Sequence, residues 1–385
     1  MSRDVEAFRQ RAAAFFADQG EPIGNAPDRS RDPLGYAAAA RLHQRHLYEA
    51  GLAGITWPED CGGLGLGAEH QQAFATAGRG YETFADIFTI GLGMCGPVLM
   101  ALGTAEQKRR YLEPMLRGDE LWCQLFSEPD AGSDLASLRT TATRDDAGWH
   151  VNGQKVWTSF AQHSEFGLLL ARTDPDLPKH RGITMFVVEL RTPGVSIRPL
   201  TQITGDSEFN EVFLDDVWVP DDNVVGTVNA GWRAAMLMLA NERVALANSP
   251  IRSALTLDAV AELIHRRGRA GDSRVRAKFA EVHLAQQGVD LFAAEIARSI
   301  TAGQLPGATA SIGKLAAGRL AKSLAALAFE VAGEEGTAWE PDDAEGGFWA
   351  HAELFAPAQS IAGGTEHIQR TILGEKILGL PREPL

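Results

Sequence analysis

The segment 124–137, QLFSEPDAGSDLAS, has the composition of a loop and concentrates hydroxyl side chains around a glycine. Ser127 and Ser133 can donate hydrogen bonds, and Gly132 lets a ligand approach the backbone closely. No His or Cys accompanies them, so the segment favours a flat polar ligand over a metal ion. A nucleophilic serine is the competing interpretation, but the Gly-x-Ser-x-Gly elbow pattern is absent here.

Trp157 stands directly before two hydroxyl residues, Thr158 and Ser159. Such a group can cover one face of an aromatic cofactor while a hydroxyl reaches a ring nitrogen. The alternative is a tryptophan in the core of a β-rich unit, and this segment by itself favours that alternative.

Glu242 lies on an otherwise apolar face of a predicted helix. The five residues of this face are spaced at i, i+3, i+7, i+10 and i+14 along the chain, and Glu242 is the fourth of them. The other members of this face are Trp232, Ala235, Leu239 and Leu246. A carboxylate there is expected to be partly desolvated and to have a raised pKa, as suits a base. A structural ion pair with Arg243 is the alternative, and the residues alone favour it.

Gly363, Gly364 and Thr365 precede an apolar segment in which Ile368, Ile372 and Ile377 recur at roughly helical spacing. Glycines before a helix N-terminus can bring free N–H groups to an electronegative ligand atom. An ordinary turn with a threonine cap explains the same residues equally well.

The 385 residues carry a net charge of −14, which opposes non-specific binding to nucleic acid and to anionic membranes.

The three cysteines, Cys61, Cys95 and Cys123, are too few and too widely spaced for a disulfide framework. The N-terminus predicts an amphipathic helix rather than a signal peptide. The apolar run 87–103 contains three internal glycines and Pro97, so we expect a buried helix or helix pair, no membrane insertion and a cytoplasmic protein.

Helical, β-rich and again helical segments follow one another, which predicts an α+β protein with three units. We expect an N-terminal helical domain at 1–121, a β-sandwich or barrel at 122–226 and a four-helix bundle at 227–385. Thr104 and Gln107 have the spacing of a capping box. Asn152-Gly153 predicts a two-residue hairpin turn.

These segments together resemble the acyl-CoA dehydrogenase family over about 52–381, and they occur in the family's order. The motifs are Gly103-Thr-Ala-Glu-Gln107, Glu128-Pro-Asp-Ala-Gly-Ser-Asp134, Asn152-Gly-Gln-Lys-Val-Trp157, Pro193-Gly-Val195, Glu211-Val-Phe-Leu-Asp-Asp-Val217, Gly231-Trp232 with Glu242-Arg243, and Gly363-Gly-Thr365 with Ile368-Gln-Arg370.

The resemblance implies a flavoenzyme that binds FAD and removes two hydrogens from an acyl-CoA thioester, with hydride passing to flavin N5. It implies FAD contacts from Phe126, Ser127, Gly132, Ser133, Trp157, Ser159, Thr365 and His367. It implies substrate contacts from Ser133, Arg243, Gly363 and Gly364. Many relatives carry the base as a glutamate before the Gly-Thr pair, but this chain has Gly363 there. Other branches carry it at the position of Glu242, which we therefore predict to be the base.

The chain departs from the family at 265–281, where an expected Arg-x-x-Phe-Gly motif is replaced by HRRGRAGDSRVRAKFAE. Arg266, Arg267 and Arg269 are candidates to reach the FAD pyrophosphate in its place. This variant resembles actinobacterial acyl-CoA dehydrogenases of steroid side-chain degradation, which often assemble as two-plus-two heterotetramers.

The resemblance leaves open a homo-oligomer, a non-catalytic or half-site partner subunit, an acyl-CoA oxidase and a flavin-dependent monooxygenase. It implies an electron-transferring flavoprotein or a similar acceptor. The acidic stretch 334–347 is expected to be a solvated loop, or alternatively a docking surface for that acceptor.

Overall fold

The computed structural model describes residues 3–23, 25–29, 31–248, 255–301, 307–339 and 344–382, and the side chains in these ranges except those of 243–248, 297, 300–301 and 344–346. The described chain divides into two compact units, 1–245 and 246–385. The three domain boundaries expected from the sequence stay a prediction.

The first unit begins with helices, as its 3.6-residue periodicity predicts. Their bounds are α1 Arg3–Gln19, α2 Pro33–Glu49, α3 Ala68–Ala77, α4 Ala85–Ile90, α5 Gly96–Leu102 and α6 Ala105–Arg117. Two short strands, β1 Glu21–Pro22 and β2 Tyr81–Glu82, pair with each other. Helix α1 buries Val5, Phe8, Ala12 and Phe15, which confirms the predicted amphipathic helix.

A five-residue π-helix, Gly91–Cys95, joins α4 to α5. By length and composition alone, the helical stretch Ala85–Leu102 is apolar enough to cross a membrane, and 44% of it is buried inside the protein. A core helix of a soluble protein passes the same test. Ile87 and Val98 belong to two apolar cores of this unit.

Eight strands then form one sheet, with bounds β3 Trp122–Leu125, β4 Thr141–Arg144, β5 Gly148–Ser159, β6 Phe166–Arg172, β7 Ile183–Glu189, β8 Val195–Leu200, β9 Phe209–Pro220 and β10 Val224–Val225. Their order in the sheet is β10-β7-β6-β4-β5-β9-β8, and β3 pairs in parallel with β6. Alternate residues of β6 enter different cores, Leu168 and Leu170 on the helical side and Leu169 and Ala171 on the other. Both faces of the central strands are therefore covered, which explains their continuous apolar runs.

The predicted hairpin at Asn152-Gly153 is wrong. Both residues lie inside the single long strand β5, which pairs with β9 on both sides of them through a register shift between Val151 and Gly153. A Cβ on Gly153 would lie 2.3 Å from Thr140 Oγ1, so the glycine serves a bulge and a close approach rather than a turn.

Helix α7, Gly231–Asn248, leads to the second unit, whose described elements are helical. Their bounds are α8 Leu257–Arg266, α9 Ser273–Thr301, α10 Ala310–Ala332, α11 Glu334–Thr337, α12 Ala344–Phe355 and α13 Glu366–Lys376. Helices α8, α9, α10 and α12 contribute Leu263, Val275, Leu324 and Trp349 to one core. The α+β fold class with a helical, β and helical order is confirmed.

Candidate functional site

The loop after β3 exposes donors on a short, closed turn. Glu128 and Ala131 exchange two backbone hydrogen bonds of 3.1 Å, which present Gly132 and Ser133 to solvent. A Cβ on Gly132 would meet no heavy atom within 4 Å. The ring of Phe126 is buried beneath the loop, so this residue offers its backbone rather than its side chain.

Trp157 lies in a second bulge of β5, between Lys155 and Thr158, and its φ is 60°. A bulky residue at positive φ is strained, and such strain is concentrated at functional sites. The indole is 60% exposed and meets the Phe209 ring edge-on, at 5.9 Å between centroids. The bulge thus points the large aromatic ring of Trp157 away from the sheet, while the rest of β5 stays paired with its neighbouring strands.

Two contacts bind this bulge to the Ser127 loop. The Val156 amide donates to the Ser127 carbonyl oxygen at 2.9 Å. Lys155 Nζ lies 2.8 Å from Glu128 Oε1 and donates to the Phe126 carbonyl oxygen at 3.1 Å. The structure therefore brings the predicted loop residues and Trp157 together.

The donor set of this surface fits a flavin. The hydroxyls of Ser127, Ser133 and Ser159 and the indole N–H of Trp157 make no hydrogen bond to any described residue. Thr158 Oγ1 is buried without a partner among the described atoms. Unpaired donors around an exposed aromatic face suit the carbonyl oxygens, ring nitrogens and flat ring of isoalloxazine.

Glu242 is half-buried on α7. On the predicted apolar face of this helix, Ala235 is fully buried, and Trp232 and Leu239 pack partly against the main core. The side chain of Arg243 lies outside the described residues.

Residues of the β6–β7 connection link α7 to the Ser133 loop. Lys179 Nζ contacts Asp134 Oδ2 at 2.9 Å, next to Ser133, and the neighbouring His180 ring meets Trp232 of α7 edge-on at 4.9 Å. Arg172 fixes the same connection, because its guanidinium donates to the carbonyl oxygens of Lys179, Arg181 and Ala136. No sequence motif predicted these contacts, because the Arg172–Ala136 and Lys179–Asp134 contacts join residues 36 and 45 positions apart.

In the second unit, Gly363 and Gly364 adopt φ of 68° and 91°, and Thr365 caps α13 by accepting from the Ile368 amide at 3.3 Å. The buried Gln369 donates through Nε2 to the carbonyl oxygens of both glycines, each at 3.2 Å. Within the described residues, the amides of the two glycines have no acceptor. Gln369 thus holds the carbonyls inward while the N–H groups stay available, a role that was not predicted from the sequence. His367 is exposed.

The arginines proposed to reach the FAD pyrophosphate are engaged within this unit. Arg267 forms a bidentate ion pair with Glu335, in the acidic stretch that was expected to be solvated. Arg269 contacts Asp272 at 2.6 Å and donates to the Glu330 carbonyl oxygen at 3.3 Å.

Comparison with protein families matches three models along the chain. They are the acyl-CoA dehydrogenase N-terminal domain at residues 2–119, middle domain at 123–217 and C-terminal domain at 229–378.

Two Mycobacterium tuberculosis proteins are similar in sequence. The acyl-CoA dehydrogenase IpdE1 is 38% identical over 99% of this chain and 99% of its own length. The acyl-CoA dehydrogenase FadE34 is 48% identical over 74% of this chain, but the match spans only 39% of FadE34. Among solved structures, the "Tcur3481-Tcur3483 steroid ACAD" superposes with a TM-score of 0.84 at 26% identity, covering 100% of this chain and 99% of that one.

Proposed function

This chain belongs to the acyl-CoA dehydrogenase family of oxidoreductases, and we propose that it uses FAD and Glu242 to convert an acyl-CoA thioester to the 2-enoyl-CoA. When bound, FAD supplies the acceptor for the hydride that leaves the β-carbon. The observation that carries the proposal is the strained, exposed Trp157, tied by a hydrogen bond to the loop of unpaired hydroxyls at Ser127.

The first unit is proposed to bind the isoalloxazine. Trp157 covers one face of the ring, and Ser159 donates toward its reacting nitrogen. Phe126, Ser127, Gly132 and Ser133 contribute the loop, with Ser133 also facing the substrate. Support comes from the unpaired state of the hydroxyl donors and from the strain at Trp157, because backbone strain is concentrated at functional sites.

Glu242 is the proposed base, because dehydrogenation requires a carboxylate to accept the α-proton of the thioester. Gly363, at the other position where relatives carry the base, has no side chain that can accept a proton. Glu242 is half-buried on α7, on the helix face that carries the buried Ala235 and the partly buried Trp232.

The Gly363-Gly364-Thr365 turn is proposed to stabilise the enolate-like charge that develops when the proton leaves. Backbone amides without internal acceptors can donate to the thioester carbonyl oxygen in the manner of an oxyanion hole. Arg243 is proposed to contact the substrate, and Thr365 and His367 the FAD.

Replacement of Glu242 by Gln tests the base. We expect the variant to bind FAD normally but to lose flavin reduction by acyl-CoA, about 100-fold or more in rate. In the matched control, Glu281→Gln, which changes an exposed residue of α9, the flavin should be reduced at the wild-type rate. Near-normal flavin bleaching in Glu242→Gln would refute the assignment.

A second candidate, a half-site partner subunit of a hetero-oligomer, is favoured by the internal pairing of Arg267 and Arg269. The name of the similar solved structure also joins two proteins. The visible spectrum of the protein purified alone separates the candidates: a stoichiometric flavin spectrum supports a complete site, and a colourless folded protein supports the partner role.

The proposal extends to the acyl chain of the substrate, the electron acceptor and the cellular compartment. The substrate is an acyl-CoA with a fatty, branched or steroid chain, and the acceptor is an electron-transferring flavoprotein in the cytoplasm. Rapid reoxidation of the reduced protein by oxygen would instead indicate an oxidase. Cys61, Cys95 and Cys123 are free thiols, consistent with a reducing compartment.

A further inference from the structure

A buried ion pair lies beneath the proposed flavin surface. The Lys155 side chain is 0% exposed and that of Glu128 is 6% exposed, with 2.8 Å between Nζ and Oε1. Burial of two charges is costly, and an apolar pair of similar volume often stabilises a fold equally well. The pair therefore requires an explanation beyond stability.

Three donors meet this carboxylate, and both of its oxygens accept a hydrogen bond. The amides of Arg139 and Thr140 donate to Glu128 at 2.6 and 2.9 Å, and Lys155 donates as the third partner. Burial opposes ionisation of Glu128, but Lys155 and these donors outweigh it and hold the pKa of Glu128 below its ordinary value. Burial lowers the pKa of Lys155 to about 8, against the attraction of Glu128.

Two of the segments that meet at this carboxylate carry proposed flavin contacts, the Ser127 loop and the bulge of β5. Glu128 directly follows Ser127, Lys155 precedes Trp157 by two residues, and Lys155 also holds the Phe126 carbonyl oxygen. The bulge that turns Trp157 outward begins at Lys155. A change in the length or charge of either partner would thus move Ser127 relative to the indole.

We propose that Glu128 and Lys155 are positioning residues that set the position of the Ser127 loop relative to Trp157, and so fix the arrangement of the groups that would hold a flavin ring. The inference rests on the proposed function. It requires the pair to matter more for flavin geometry than for folding.

The test uses the full chain, stripped of flavin and titrated with FAD well below each variant's unfolding temperature. The central variant is Glu128→Gln/Lys155→Met, which removes both charges while it keeps their approximate volumes. We expect it to fold with reduced stability, because the N–H₂ of Gln must face one of the two backbone amides that donate to Glu128. We also expect it to bind FAD about tenfold or more weakly and to change the visible circular dichroism of the bound flavin. The control, Arg144→Met, removes an exposed ion pair of the same sheet and should change neither the FAD affinity nor the flavin dichroism.

A double variant with wild-type FAD affinity and flavin dichroism would overturn the positioning role. If that variant does not fold, Glu128→Asp replaces it, because the shorter carboxylate keeps the charge and shifts the loop. Wild-type FAD affinity and dichroism in Glu128→Asp would overturn the proposal as well. Failure of the wild-type chain itself to bind FAD would refute the proposed function, so the two failures are distinguishable.

Discussion

Gln107 Nε2 lies 2.8 Å from the carbonyl oxygen of Val224, although the two residues are 117 positions apart. The same nitrogen donates to the Asp222 carbonyl oxygen at 2.7 Å, and Gln107 Oε1 accepts from the Thr104 amide at 3.0 Å. The predicted capping box is confirmed, and its glutamine also fastens α6 to the end of the β-sheet. One side chain thus serves both a local and a long-range structure.

Replacement of Gln107 by Glu should destabilise the protein far more than loss of the cap alone. Glu keeps the acceptor for Thr104 but places a buried carboxylate against two carbonyl oxygens, so we expect a loss of roughly 3 kcal/mol or more. Thr104→Ala removes only the cap and should cost about 1 kcal/mol. Urea unfolding of both variants measures the difference, and equal losses would contradict the long-range role.

The Trp157→Gly variant tests whether the strained indole contributes to FAD binding rather than to folding. Glycine accepts a φ of 60° and little buried area is lost, so the apoprotein should keep its stability or gain up to about 1 kcal/mol. FAD affinity should fall, because the covering ring is gone.

The matched control is Trp218→Gly in β9, where the indole is also partly exposed. Glycine weakens a strand, so this variant should lose stability and keep its FAD affinity. Thermal unfolding of apoprotein and FAD titration give both readouts. A destabilised Trp157→Gly with unchanged FAD affinity would argue that the indole is structural.

His43 predicts a specific acid sensitivity. Its ring is buried among Phe15, Phe16 and Phe84, and Nε2 has no partner among the described atoms. Burial, with a smaller contribution from His46, lowers the pKa of His43 to about 4. The unfolded chain binds a proton near pH 6.5, so this contribution to stability is present above pH 6.5 and is lost as the pH falls toward 4.

Between pH 7 and 5, wild type should therefore lose about 2 kcal/mol more than His43→Leu, which has no titrating group at this position. Urea unfolding at the two pH values gives the comparison. The same pH dependence in both proteins would show that His43 is not responsible.

Local signals in the sequence predicted local structure well. The caps at Thr104 and Thr365 depend on residues within three positions, and both are present. The hairpin predicted from Asn152-Gly153 was wrong because it relied on the same kind of local signal. Pairing with β9, about 60 residues away along the chain, makes these residues a bulge rather than a turn. The β-rich unit was recognised because its central strands are buried on both faces and form continuous apolar runs.

In the candidate site, too, local features were predicted from the sequence and long-range contacts were not. Trp157 and Ser127 were identified from residue type and motif, but the bulge and positive φ that expose the indole arise from pairing with a distant strand. Lys155 and Gln369 received no role, because a lysine in a strand and a glutamine in a helix are usually solvated. Their burial and partners depend on tertiary packing.

The π-helix at Gly91–Cys95 changes the direction in which the side chains of the following helix point. Eleven residues of regular α-helix return to nearly the same direction, about 20° apart, so Ile87 and Val98 would share one face of an unbroken helix. One surplus residue in the wide turn rotates the helix beyond it by about 100°, roughly a quarter of a circle. Ile87 accordingly packs with Tyr36 and Phe84, while Val98 packs in the larger core. This turn should tolerate changes of residue type far better than changes of length, because a deletion would realign the two halves and force one of them off its core.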